Sequence, residues 1–384
     1  MLKSLEKKSI ALCVIAKNEV YALQRCILSA KPLVDFVLVV DTGSTDGTQK
    51  KARELMHSIS IPGEVIEEPW QNFAYNRTYA LAQLRARTSI DYGLMLDADQ
   101  VLMYSPNFSP SSFKAGLAAD AYDVCIKLGG IEYFQPQLTS NRLNIVYKGV
   151  LHEYREIPAN ASRDRVEGFV IEEVRDGSRS KNPKKYQDDA ALLQEAKAVE
   201  SDPFLLSRYK FYLAQSYRDS GDDYRALEFY LERSTLGYWI EEVFLSLYYA
   251  AQIKERLRFP DSEIVQSYLS AHEAFPHRIE ALHGAVRFLR LRDKFQLAYH
   301  IAERGIKISA PSSGLFLERW IYDYGMLDEF AISAYWSGHP LDCWDACIKI
   351  LQESDLPEND RDRIRRNATF AAQQLARSEE EIRV

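Results

Sequence analysis

The first half of the chain alternates short apolar runs with stretches of helical period. "IALCVIA" (10–16), "DFVLVVD" (35–41), "GEVIEEP" (63–69) and "YGLMLDAD" (92–99) are aliphatic or β-branched and end in turn-forming or acidic residues, which predicts four strands. Between them lie "EVYALQRCILSAKP" (19–32), "STDGTQKKARELMHSI" (44–59) and "FAYNRTYALAQLRART" (73–88). These read as helices, the first stopped by Pro32 and the second capped by Ser44 or Thr45. Strand–helix alternation of this kind predicts an α/β domain, a mostly parallel sheet with helices on both faces.

Beyond residue 186 glycine and proline thin out and aromatics recur at helical spacing. "SRYKFYLAQSYRDSGDDYRALEFYLERSTLG" (207–237) reads as two antiparallel helices joined at "SGDD". Leu213, Ala214, Tyr217, Ala226 and Tyr230 fall on the large and small positions of a tetratricopeptide-like pair. Further pairs are expected near 243–276, 279–310, where Ala298, Ala302 and Gly305 offer close-packing positions, and 327–356. Their period lies near the ~34 residues of such repeats. The chain is therefore divided into 1–185, α/β, and 186–384, an all-α helical-repeat domain. Stacked helix pairs commonly present a face to a partner. The basic, Gly- and Pro-punctuated "DGSRSKNPKKYQDD" (176–189) is expected to link the halves; as a lid it would bring Lys184 or Lys185 to phosphates.

Composition narrows the functional classes. A formal net charge of −7 over 384 residues argues against a nucleic-acid surface, which needs a concentrated basic field. The 5 cysteines are odd in number and scattered, as in a reduced cytoplasmic protein; Cys343 and Cys347 are expected to be core residues. The apolar run at the N-terminus is broken by Lys17, too short to span a bilayer, and no cleavage pattern follows it. A cytoplasmic protein with at most peripheral membrane contact is expected.

Polar residues gather where the predicted strands end: Asn18 and Glu19, then Asp41, then Trp70, then Asp97 and Asp99. Open α/β sheets bind ligands beyond the carboxyl ends of their strands. Two carboxylates separated by one residue repel and raise each other's pKa, and a divalent cation bridging them to substrate phosphates removes that cost. On an extended backbone their side chains would share a face.

In order and spacing, "ALCVIAKNE", "VLVVDTGSTDGT", "WQNFAYNRTYAL" and "LMLDADQ" resemble family-2 glycosyltransferases of the GT-A fold, a Rossmann-like nucleotide-sugar-binding domain. "NRLNIVYKGVLHEY" is similar to a later segment of a bacterial subgroup that carries tetratricopeptide-like helices. The resemblance covers about residues 9–155. It implies a metal-dependent, inverting glycosyltransferase of hexosyltransferase type, using a nucleotide diphosphate sugar, most often UDP-linked, and a glycan, lipid-linked or peptide acceptor. By the same resemblance Asn18, Glu19 and Asp41 lie beside the base and ribose, and Trp70 packs on the donor side. Arg77, or its neighbour Asn76, meets the diphosphate or Asp97. Asp97 contacts ribose or metal, while Asp97, Asp99 and His152 hold Mn²⁺ or Mg²⁺. Glu153 is the expected general base, with Asp123 and Asp189 behind it. A cysteine thiol acceptor would need less base assistance. The Q-x-x-R-W motif of processive synthases is absent, so one sugar per encounter is expected. The competing readings are a nucleotidyltransferase, against which the missing glycine-rich loop argues, and a non-catalytic sugar-nucleotide-binding scaffold whose helices bind a protein partner.

Overall fold

A computed structural model describes residues 7–129, 131–354 and 356–382. It begins with the expected alternation: β1 (Ile10–Ala16), α1 (Val20–Ala30), β2 (Phe36–Asp41), α2 (Thr48–Ser58), β3 (Gly63–Glu67), α3 (Phe73–Arg85) and β4 (Tyr92–Asp97). Four strands, β3-β2-β1-β4, are parallel neighbours in that order. Strand β1 shows why both faces are covered. Leu12 and Val14 enter one apolar cluster with Leu23, Ile27 and Val39, whereas Ala11, Cys13 and Ile15 enter another with Ala80, Leu81 and Leu84 of α3. A strand buried on both sides reads as a continuous apolar run, and each fully buried aliphatic side chain stabilises by roughly 1.5–3 kcal/mol.

Past β4 the chain builds strands that the sequence reading did not place. These are β5 (Gln100–Tyr104), then α4 (Pro110–Gly116), β6 (Ala121–Leu128), β7 (Ile131–Ser140), β8 (Val146–Lys148), β9 (Tyr154–Glu156), β10 (Arg163–Arg165) and β11 (Phe169–Glu173). The sheet continues from β4 through β7, β6, β11 and β5. Strand β7 runs antiparallel to β4 and β6, and β11 antiparallel to β5, so the sheet is mixed, of GT-A type. Strands β8 and β9 pair separately.

Helix α2 corrects one expectation. It starts at Thr48, not after Ser44 or Thr45, because Gly47 takes a left-handed φ of 87° and Asp46 accepts from Thr48 N at 3.0 Å. The segment expected to be a linker becomes a 3-10 turn at Ser178–Lys181 and the start of α5 (Lys185–Val199). The following helix, α6 (Pro203–Asp219), has Pro203 in its first turn and Asp202 as its cap, accepting from Phe204 N at 2.9 Å, a strong start signal.

The chain divides into two compact units, Met1–Ser220 and Gly221–Val384; the expected division at 185/186 falls where α5 begins. The second unit holds α7 (Asp223–Ser234), α8 (Ile240–Arg256), α9 (Asp261–Ala274), α10 (Glu280–Arg290), α11 (Phe295–Gly305), α12 (Met326–Trp336), α13 (Pro340–Glu353) and α14 (Glu358–Ile382). Each packs against the next, in tetratricopeptide-like pairs near the predicted spans. Ala298 and Ala302 are fully buried, and a Cβ on Gly305 would lie 2.7 Å from Met326 Cε. Cys343 and Cys347 are buried and free, as are Cys13 and Cys26. Among the described residues no helix is long and apolar enough to cross a membrane.

Candidate active site

The strand order places β1 between β2 and β4, so the connections leave in opposite directions at the β1–β4 pair. That switch point is where such sheets form a crevice. Four segments deliver side chains to it.

Asn18 and Glu19 follow β1. Asn18 adopts a left-handed φ of 58°, which asparagine tolerates. Its Oδ1 accepts from Thr45 N at 2.8 Å and its N donates to Ser44 Oγ at 2.8 Å. These bonds tie the ends of β1 and β2 together. Asp41 ends β2 and is only 1 % exposed. Its Oδ1 accepts from Ser44 N at 2.9 Å, Gly43 N at 3.1 Å and Gln49 Nε2 at 2.8 Å. Its Oδ2 is buried and has no partner among the described residues. An orphaned buried acceptor costs about 1–3 kcal/mol, which a ligand N–H or O–H would recover.

Helix α3 is capped by Asn72, which accepts from Tyr75 N at 2.8 Å. The helix turns Arg77, Ala80, Leu81 and Leu84 toward the sheet. Asn76 is spent on structure: its Oδ1 accepts from Gln71 N at 3.0 Å and its Nδ2 donates to Pro69 O at 3.2 Å. Arg77 is therefore the residue of this pair that reaches the crevice. Its guanidinium donates to Asp97 Oδ1 at 2.5 Å and its Nε approaches Glu153 Oε1 at 2.5 Å, an ion pair in distance without hydrogen-bond alignment. Trp70, after β3, is 39 % exposed and packs edge-on against Phe73, ring centres 4.7 Å apart.

The two aspartates do not share an extended strand. Strand β4 stops at Asp97, and Ala98 and Asp99 form a turn into β5. The Asp97 N–H donates to Gln100 Oε1 at 3.0 Å. Proximity survives all the same. The pKa of Asp99 is raised, by burial first and by the charge of Asp97 second. Glu19 is raised by burial, with Asp99 adding to it against hydrogen bonds from Ser178.

The sequence reading missed one carboxylate. Glu173 ends β11, opposite Gln100 of β5. It accepts from Tyr133 Oη at 2.5 Å, and its pKa is raised by burial, with Asp97 and Asp99 adding to the effect. The signal was present: "FVIEE" is another apolar strand ending in acids.

The "GVLHE" turn between β8 and β9 needs Gly149, at φ 100° with Glu153 Cα close behind it. His152 is also left-handed, φ 53°, and its ring stacks on Tyr212 at 3.9 Å. His152 keeps part of its surface open to solvent. Crowding around the ring, then the charges of Arg208, Arg179 and Lys185, lower its pKa and favour the neutral imidazole. Glu153 has a side chain only 8 % exposed and lies on Arg77. Asp123 pairs with Arg163 at 2.6 Å, and Asp189 pairs with Arg179. Among the described residues no three His, Cys, Asp or Glu side chains are grouped closely enough to hold a metal ion by themselves. Asp99 and Glu19 nevertheless point at one spot: a Cβ on Gly177 would lie 3.0 Å from Asp99 Oδ2 and 3.2 Å from Glu19 Oε1.

Residues 11–108 match the family model of Glycosyl transferase family 2. A TPR repeat-containing protein of Synechococcus elongatus is 36% identical over 95 residues, 24% of this chain and 21% of that protein. An uncharacterized glycosyltransferase of Rickettsia bellii is 31% identical over 101 residues, 26% of this chain and 31% of its own length. One from Rickettsia felis is 34% identical over 95 residues, 25% of this chain and 30% of that protein. The chain thus spans less than a third of the curated relatives it matches. Among solved structures, BtubC from P. vanneervenii aligns with a TM-score of 0.37 at 17% identity, over 44% of this chain and 72% of that one. MamA aligns with a TM-score of 0.35 at 11% identity, over 44% and 88%.

Proposed function

We propose that this chain, whose residues 11–108 form a Glycosyl transferase family 2 domain, moves a hexose from a nucleotide diphosphate sugar to an acceptor hydroxyl with inversion. The observation that carries the reading is the charge imbalance at the switch point. Asp97, Asp99, Glu19 and Glu173 converge there, the last three with pKa values raised by burial and the last two of these also by Asp99. Arg77 pairs directly with Asp97 and Glu153, while Lys181 and Arg175 act on Glu19 and Glu173 only from beyond ion-pair distance. Acids left in that state are poised to accept positive charge.

The donor's base and ribose fit the end of β2, where the unpartnered Asp41 Oδ2 awaits a donor group and Trp70 offers an exposed ring. UDP is the nucleotide we assign. Asp99 and Glu19 would hold Mn²⁺ or Mg²⁺. Hard oxygen ligands of this kind suit those ions, which take one or two carboxylates plus substrate phosphates. When bound, such a cation neutralises charge on a diphosphate. Asp97 is oriented by Arg77, and Glu153 holds Arg77 from the other side, which makes Glu153 a positioning residue. A neutral His152 can contribute a ligand nitrogen or a hydrogen bond at the same mouth.

The acceptor hydroxyl attacks the anomeric carbon opposite the diphosphate and gives its proton to Glu173. A carboxylate with a raised pKa is the better base. The bond from the anomeric carbon to the diphosphate oxygen breaks as the new glycosidic bond forms, which inverts the centre. The acceptor is a glycan, a lipid-linked sugar or a peptide, and the helical unit is suited to docking it or a protein partner.

A panel of nucleotide sugars, assayed for transfer and donor hydrolysis with Mn²⁺ and with a chelator, tests this. Metal-dependent turnover of one donor is expected. No turnover of any donor, with retained binding of a protein by the helical unit, would favour the scaffold reading instead.

A further inference from the structure

The spot on which Asp99 and Glu19 converge is filled by the chain itself. Residues 174–178 leave β11 and run across the mouth of the crevice. Val174 N donates to Asp99 O at 3.2 Å. The Gly177 backbone faces the Asp99 carboxylate and works against the rise in its pKa. Ser178 N donates to Glu19 Oε1 at 2.8 Å, and Ser178 Oγ to Lys17 O at 3.1 Å. Outside the crevice Asp176 grips Arg25 with both oxygens, at 2.6 and 2.7 Å. Gly177 is buried while Val174, Arg175 and Asp176 are exposed. With φ at −59°, Gly177 is not needed for its backbone angle; a Cβ there would make the Asp99 and Glu19 carboxylates give way by a few tenths of an ångström.

We propose that residues 174–178 are a strap that occupies the donor's diphosphate position in the free protein, latched by the Arg25–Asp176 pair, and that the donor must displace it. This inference rests on the nucleotide-sugar reading above. The Ser178 N–H holds the Glu19 carboxylate and Gly177 lies against both Glu19 and Asp99, so the strap and the cation compete for the same place. The competition is close to balanced. The strap is held by a few hydrogen bonds and one exposed ion pair, features of a segment that opens locally. Arg175 sits at a left-handed φ of 57°, an uncommon conformation for a non-glycine residue, and opening would relax it. Apparent donor affinity then falls by the fraction of molecules whose strap is open.

The test combines amide hydrogen exchange at residues 174–178 with titration of UDP in the presence of Mn²⁺. It uses the full chain and the variants Asp176→Asn and Gly177→Ala. In the wild type, UDP with Mn²⁺ is expected to speed exchange at Gly177 and Ser178. Asp176→Asn should exchange faster without ligand and bind UDP with Mn²⁺ about two- to fivefold tighter, as removal of an exposed latch allows. Gly177→Ala should do the same if it folds. Amides that stay protected or gain protection on binding would overturn the strap, and so would unchanged affinity in a variant whose strap is already released; the nucleotide-sugar reading would survive both. Absence of UDP binding in wild type and variants would overturn the two together.

Discussion

Both halves of the molecule bury charge, and they do it by opposite rules. In the helical unit Arg233 meets Glu242 at 3.0 Å with both side chains at most 1 % exposed, and Arg278 meets Glu280 at 2.7 Å under equal burial. Arg278 also donates to Leu315 O, and Glu280 accepts from Tyr322 Oη. Each of these two pairs joins opposite charges and has extra hydrogen bonds, the condition under which a buried pair is tolerated. At the strand ends Asp99, Glu19 and Glu173 share a small space and, among the described residues, none of the three is in a direct ion pair; Lys181 and Arg175 act on Glu19 and Glu173 only from farther off. Matched charge supports a structure, whereas mismatched charge marks a place where something else completes the balance.

The contrast can be broken from either side. Arg278→Ala leaves Glu280 buried and unpaired and should destabilise the second unit by about 3–5 kcal/mol, read from chemical denaturation. A loss near zero would mean that the pair is not what holds α10 in place. Asp99→Ala should behave in reverse. The fold should keep its melting temperature while transfer falls by about 10²–10³-fold, the scale of losing one electrostatic anchor. Glu173→Gln should lower turnover by at least about 10²-fold with little change in UDP affinity, and an unaltered rate would return the base role to Glu153.

Acid separates the two regions more gently. Burial pushes the His283 pKa from 6.5 down to about 4. A depressed folded value means that its stability contribution is present above 6.5 and is lost as pH falls toward 4. In that window the unfolded chain binds more protons, with a slope of about 1.4 kcal/mol per pH unit. His283→Gln should flatten the stability curve there. The raised carboxyls Asp99, Glu19 and Glu173 act oppositely: their stabilisation is full below the unfolded carboxyl range and is lost as pH rises through their folded values. Asp99→Asn should therefore gain stability over the wild type at neutral pH, and a larger gain at acid pH than at neutral would contradict the sign.

What could be read in advance follows the same division. Strand β1 is legible to the residue because both its faces are buried and its run is unbroken. Strand β7 was not, because "IEYFQPQLTS" mixes polar residues and Pro136 with few fully buried positions, and β10, "RDR", is wholly exposed. At the site, Asn18, Glu19, Asp41 and Asp97 were visible as polar residues ending strands. Asp99 was visible too, but its turn was not, since two acids one residue apart look alike on a strand and on a bend. The Gly177 strap was invisible: Ser178 and Glu19 meet across 159 residues, and no local pattern encodes that distance.

The most direct test of the central claim is a calorimetric titration of UDP into the wild type and Asp99→Ala, each with and without Mn²⁺. Binding to the wild type is expected to depend on Mn²⁺ and to be lost in the variant. Equal binding by both proteins, or binding indifferent to the metal, would contradict it.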